Sequence, residues 1–98
     1  MDFNYDFNNI FAKILKKEIP NETVLETNHS LAFKDINPAA PIHILVIPKG
    51  PYVNYDHFIS NATDEEIIDF NKTVKEVIEK QELDPKRNGN GYRLIANT

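Results

Sequence analysis

Residues 31–49, LAFKDINPAAPIHILVIPK, read as two strands joined by a rigid turn. Leu31, Phe33 and Asp35 alternate with Ala32, Lys34 and Ile36, so in a strand of period two the Phe33 ring and the Asp35 carboxylate share one side. Asn37-Pro38 and Ala40-Pro41 then interrupt the ladder. Proline fixes its own φ, removes a backbone donor and pushes the preceding residue toward extended geometry, so the chain bends here. From Ile42 to Ile47 only His43 is polar, and this β-branched run is the composition of a central strand covered on both faces. His43, Leu45 and Ile47 fall on one side of it. A carboxylate and an imidazole therefore flank a single bend.

The elements on either side predict an α+β fold. Ile10, Phe11, Ile14 and Leu15 recur at helical spacing with Pro20 beyond them, which predicts a helix over residues 8–17. A short strand is expected over 23–27, with a turn at Asn28-His29. Gly50-Pro51 closes the strand that carries His43, and residues 52–60 read as a loop with one helical turn bearing Tyr55 and Phe58. A second helix is expected from Thr63 to about residue 83. Thr63 and Glu66 make a capping box, Asp64, Glu65 and Glu66 suit the positive helix end, and Ile67, Phe70, Val74, Val77 and Ile78 form the apolar stripe. Pro85 and the run Asn88-Gly89-Asn90-Gly91 predict a turn into a last strand over 92–97. That glycine run precedes a strand, whereas a phosphate-binding loop precedes a helix, so it is read as a turn.

Composition fits one small domain spanning residues 1–98. The chain has 98 residues and 41% hydrophobic content, and a chain of this size buries a smaller share of its surface than a larger one. A net charge of -4 argues against nucleic acid or an anionic membrane as the main partner, while leaving room for a mononucleotide in a local pocket. No cysteine, bilayer-length apolar stretch or signal-like N-terminus is present, so a reducing, cytoplasmic location is expected. The sequons at Asn21, Asn28, Asn61 and Asn71 are read as a by-product of asparagine richness.

The order Phe33-x-Asp35-Ile36, then Pro38-x-x-Pro41, then His43 and an apolar strand ending in Pro48-Lys49 resembles the histidine-triad (HIT) superfamily. The likeness is greatest to its Hint-type purine nucleoside phosphoramidase branch. Residues 9–14 (NIFAKI) with Glu18-Ile19-Pro20 resemble that family's N-terminal helix and its exit, and residues 92–97 (YRLIAN) resemble the strand before its catalytic signature. The resemblance implies an antiparallel sheet of five strands with two helices, of which the last strand is absent here, and a subunit that pairs with its twin. It also implies a His-φ-His-φ-His signature after Asn97, where φ is apolar. His29, His43 and His57 are too far apart to form it, so the domain is expected to be C-terminally incomplete.

In a complete relative the middle histidine of that signature would attack the α-phosphorus of a purine nucleoside phosphoramidate or related nucleotide, and water would then release the monophosphate. No metal or cofactor enters that scheme. The present chain is expected to be either a piece of such a hydrolase or a shortened paralogue, a non-catalytic module that binds nucleotide or another protein. With Leu94 and Ile95 on an open strand, a homodimer or a strand-exchanged oligomer is expected.

Each candidate residue has a plainer role to weigh. Asp35 before Asn-Pro reads from sequence alone as an Asx-type cap of the turn. The resemblance implies instead that its two carboxylate oxygens accept both ribose hydroxyls. Ile10, Phe11, Ile14, Phe33 and Ile36 would ordinarily be core, and the resemblance implies that several of them form an apolar slot around a purine base. A lone histidine in an apolar strand is most often a structural hydrogen-bonding group, and the resemblance gives His43 a supporting role beside catalytic histidines. Asn97 could be a plain strand-end residue; by resemblance it lies near the α-phosphate. His29 and His57 read as surface residues. The implied ligand is a purine nucleoside monophosphate or phosphoramidate.

Overall fold

The computed structural model describes residues 4–96. Its elements run α1 (Ile10–Leu15), β1 (Thr23–Glu26), β2 (Ser30–Lys34), β3 (Ile44–Pro48), α2 (Tyr55–Asn61), α3 (Asp64–Lys80) and a 3₁₀ turn (Pro85–Arg87). The strands form one antiparallel sheet in the order β1-β2-β3. The architecture is thus α+β, as expected. The centre is β2, however, and not the strand carrying the apolar run. Ser30 to Phe33 are all buried, whereas every residue of β3 is half-buried at the sheet edge.

Register explains how the sheet is covered. Leu31 pairs with Ile47 and Phe33 with Leu45, so these four side chains share one face. Ile14, Leu15 and Ile19 from α1 and its exit pack on that face, and Ile14, Leu31 and Phe33 are at most 7% exposed. Full burial of side chains of this size contributes about 1.5–3 kcal/mol each. The opposite face carries Ser30 and Ala32 beneath α3, whose buried residues are Thr73 and Val77. The run in β3 is apolar on both sides because α1 serves one face and α3 the other, even at an edge.

Asp69 of α3 fastens the β1–β2 turn. Its Oδ1 accepts the hydroxyls of Thr27 and Ser30, each at 2.7 Å. Burial pushes the Asp69 carboxyl up, but those two hydrogen bonds and the nearby charges of His29 and Lys49 outweigh it and hold the group below its ordinary value. Asp69 lies beside the apolar stripe read from the sequence.

Local chemistry sets the helix ends. The Asn9 side chain accepts the Ala12 N–H at 2.8 Å, and Lys17 adopts a φ of 63°, so α1 begins later and ends earlier than residues 8–17. The expected capping box forms: Thr63 Oγ1 accepts the Glu66 N–H at 3.2 Å and Glu66 Oε1 accepts the Thr63 N–H at 3.1 Å. Glu82 at a φ of 56° follows the end of α3 at Lys80, short of residue 83.

Two further expectations are corrected. The region 52–60 holds a full helix, α2, because Asn54 caps the His57 N–H at 2.8 Å and Phe58 is 2% exposed between the rings of Tyr52 and Phe70. The described residues therefore contain three α-helices and not two. Residues 92–96 belong to no strand. A strand exists only through a ladder partner, and local sequence alone supplies none. Tyr92, Leu94 and Ile95 stand exposed there. Among the described residues no helix is long and apolar enough to cross a membrane.

Candidate functional site

The bend singled out in the sequence lies at the open end of the β2–β3 ladder. Lys34 pairs with Ile44, and one step further the Asp35 N–H donates to the His43 carbonyl at 3.0 Å. The parity that places Phe33 and Leu45 on the α1 face therefore places Asp35 and His43 there too. Their side chains meet: His43 Nε2 lies 3.5 Å from Asp35 Oδ2. That distance is long for a hydrogen bond but short enough for the ring and carboxylate to steer one another.

Both groups are further held by the turn. Asp35 Oδ1 accepts the Asn37 N–H at 2.9 Å, which is the Asx-type cap read from the sequence. His43 Nδ1 accepts the Ala39 N–H at 3.0 Å. Pro38 and Pro41 cannot donate, so Ala39 supplies one of the few amides the turn can offer. Asp35 keeps 22% of its side-chain surface open and His43 33%, so solvent reaches both.

The apolar candidates divide into two groups. Phe33 is buried, Ile14 lies in the same core cluster, and Phe11 approaches Phe33 with ring centroids 6.4 Å apart. Ile10 and Ile36 are open to solvent, and Ile36 is 80% exposed. The structure thus offers an apolar floor made by Phe33 and Ile14, an aromatic wall at Phe11 and an exposed rim, rather than an enclosed slot. Asn97 lies outside the described residues.

His29 and His57 are more engaged than surface residues. His29 Nε2 sits 3.7 Å from Glu65, while His57 Nδ1 accepts the Val53 N–H and its ring packs edge-on against Tyr52. A cavity of about 550 Å³ opens beside the exit of α1, lined by Leu15, Lys17, Ile19, Leu31 and Lys49 among others. It shares only Ile14 with the candidate set, and Lys49 there is already paired with Glu26 at 2.8 Å. Asp35 and His43 are not part of it. Among the described residues no group of His, Cys, Asp and Glu could hold a metal ion.

The contribution missed in the sequence is the Ala39 amide. Alanine carries no chemical signal, and only the fold of the turn brings its N–H to His43.

The HIT domain family matches residues 16–98. An uncharacterized 13.2 kDa HIT-like protein of Azospirillum brasilense is 52% identical over 94 residues, covering 95% of this chain and 73% of that protein. An uncharacterized HIT-like protein of Rickettsia prowazekii is 45% identical over 93 residues, covering 95% and 74%. A solved HIT family hydrolase from Clostridium thermocellum superposes with a TM-score of 0.76 at 38% identity, covering 93% of this chain and 75% of that one. With its fold and most of its length matched in this way, the chain belongs to the HIT family.

Proposed function

We propose that this chain holds a purine nucleoside monophosphate or phosphoramidate at the bend between β2 and β3, in the manner of the Hint-type branch. The observation that carries the reading is the convergence of Asp35 and His43 on the sheet face floored by Phe33 and Ile14. Asp35 accepts the ribose hydroxyls. Phe11, Phe33, Ile10, Ile14 and Ile36 provide apolar surface for the base, Asn97 serves the α-phosphate, and His43 supports. Vicinal hydroxyls present two donors, and a carboxylate whose oxygens each retain a free lone pair suits them.

The parent reaction is hydrolysis of the bond to α-phosphorus by a histidine nucleophile. The part of that reaction carried by the residues named above is the holding of the nucleotide. The protein works in the cytoplasm as a homodimer or a strand-exchanged oligomer. No metal or cofactor is assigned to it.

Thermal denaturation with adenosine monophosphate tests the reading. Ligand at about 100 times its dissociation constant adds about 2.7 kcal/mol of stability, visible as a raised melting temperature. Asp35→Ala should abolish the rise. No rise at millimolar ligand, or an equal rise in the variant, contradicts the assignment.

A further inference from the structure

We infer that His43 is a positioning residue for Asp35, locked by the Ala39 amide in the tautomer that turns its one proton toward the carboxylate. The inference deepens the nucleotide reading and rests on it for its consequence, although the lock itself can be measured without ligand.

The hydrogen bond that the His43 ring takes from the backbone fixes its tautomer. A backbone N–H can donate and cannot accept. The Ala39 N–H lies 3.0 Å from His43 Nδ1, so Nδ1 must present a lone pair. A neutral imidazole carries one N–H, which is then on Nε2. Nε2 faces Asp35 Oδ2 at 3.5 Å. The other carboxylate oxygen is held by the Asn37 N–H at 2.9 Å. One oxygen of Asp35 thus takes a backbone donor and the other faces the His43 ring, and each keeps a lone pair for an incoming hydroxyl.

Two backbone features make this arrangement cheap to hold. The Asp35 N–H to His43 carbonyl bond, 3.0 Å long, fixes the two residues opposite each other. Pro38 and Pro41 stiffen the intervening turn and lower the entropy lost on ordering it. A carboxylate oriented before ligand arrives gains affinity because less freedom is lost on binding. The further role of His43 thus differs from assisting a catalytic histidine: it sets the orientation of the ribose acceptor.

Two substitutions separate the two ends of the ring. His43→Asn places an amide oxygen near the position of Nδ1 and can still accept from Ala39, but it does not reach Asp35. His43→Gln extends an amide N–H toward the position of Nε2 and can still donate to Asp35. The experiment combines ring NMR of the ligand-free protein with binding of adenosine monophosphate and its 2′-deoxy analogue. In the wild type, long-range proton–nitrogen correlations should show His43 with a bare Nδ1 and a protonated Nε2, and Asp35→Ala should shift the Nε2–H resonance. The wild type and His43→Gln should favour the ribose form by about tenfold, equivalent to about 1.4 kcal/mol, while His43→Asn should lose most of that preference with its melting temperature retained.

A protonated Nδ1, an Nε2–H resonance indifferent to Asp35→Ala, or full ribose preference in His43→Asn would each overturn the proposal. If the wild type binds neither nucleotide, the nucleotide reading falls, and the ring spectra alone decide whether His43 positions Asp35.

Discussion

Asp35 and His43 stand opposite each other where the β2–β3 ladder ends, joined through the backbone at 3.0 Å, with imidazole and carboxylate 3.5 Å apart. The pairing is a consequence of register. Once Phe33 is set against Leu45, strand periodicity gives the next pair on that face no other choice. The same hydrophobic alternation that builds the core thus delivers two polar groups to its open end.

Asp69 should be among the most sensitive positions outside the bend. Asp69→Ala removes the acceptor of the fully buried Ser30 hydroxyl and the nearer acceptor of the Thr27 hydroxyl, which keeps only the Ser30 carbonyl at 3.4 Å. Unsatisfied buried groups cost about 1–3 kcal/mol each, so urea unfolding should show a loss of about 2–4 kcal/mol. A loss under about 0.5 kcal/mol, the range of an ordinary surface change, would contradict the fastening role.

The same carboxylate predicts an acid limb of stability. Its folded-state value lies below the ordinary 3.8, so on acidification the unfolded chain takes up this proton first. The contribution is fully present above the ordinary value and is lost as pH falls through the lower folded-state value. Melting temperature followed from neutral pH downward should therefore fall below about pH 4, and Asp69→Asn should flatten that fall. An unchanged acid limb in the variant would assign the sensitivity elsewhere.

Tyr52 and Glu66 tie the approach to α2 onto the start of α3. The Tyr52 hydroxyl donates to both Glu66 oxygens, at 3.0 and 2.8 Å. Burial, followed by this bond and the Glu66 charge, pushes the phenol above its ordinary 10.0, while the Thr63 amide is the main cause holding the Glu66 carboxyl below 4.5. An absorbance titration of phenolate should show Tyr52 ionising late, and Glu66→Gln should bring it earlier by removing the charge. Thr63→Ala should cost about 0.5–2 kcal/mol through the lost cap.

Gly89 should tolerate no side chain. A Cβ there would lie 2.5 Å from the Leu83 carbonyl oxygen, because the Gly89 N–H reaches back to Asp84 at 2.8 Å and draws the turn against the end of α3. Gly89→Ala should destabilise by about 1–3 kcal/mol in chemical denaturation, through strain that cannot relax without opening the turn. A neutral substitution would show that the close approach is not required.

Leu94 and Ile95, 69% and 73% exposed, should report on self-association. In the proposed dimer or strand-exchanged oligomer they are covered, so light scattering should give a mass above that of one chain, and Leu94→Lys with Ile95→Lys should shift it toward the monomer. A stable monomer unaffected by these changes would contradict the proposed assembly.

The sequence exposed some of this organisation more clearly than the rest, for physical reasons. The Thr63–Glu66 capping box and the alternation of Leu31, Phe33 and Asp35 are local patterns, and local patterns survive folding intact. The order of strands is a long-range property. The apolar run at residues 42–47 therefore reads as central, although β2 holds that place. Residues 52–60 read locally as a loop with one helical turn, because the stability of α2 comes from Phe58 settling between Tyr52 and Phe70, a tertiary contact with no helical period to announce it. Residues 92–96 resemble a family strand in sequence, yet pairing decides whether a strand forms. At the candidate site, Asp35 and His43 were legible as residue types near a bend. The Ala39 amide that fixes the ring was not.

The most direct measurement is isothermal titration of the wild type and Asp35→Ala with adenosine monophosphate and its 2′,3′-dideoxy analogue. The wild type should bind the ribose form at least about tenfold more tightly, a difference of about 1.4 kcal/mol, and Asp35→Ala should bind both forms equally weakly. Equal affinity of the wild type for the two ligands, or a ribose preference that survives Asp35→Ala, would contradict the placement of the ribose on Asp35.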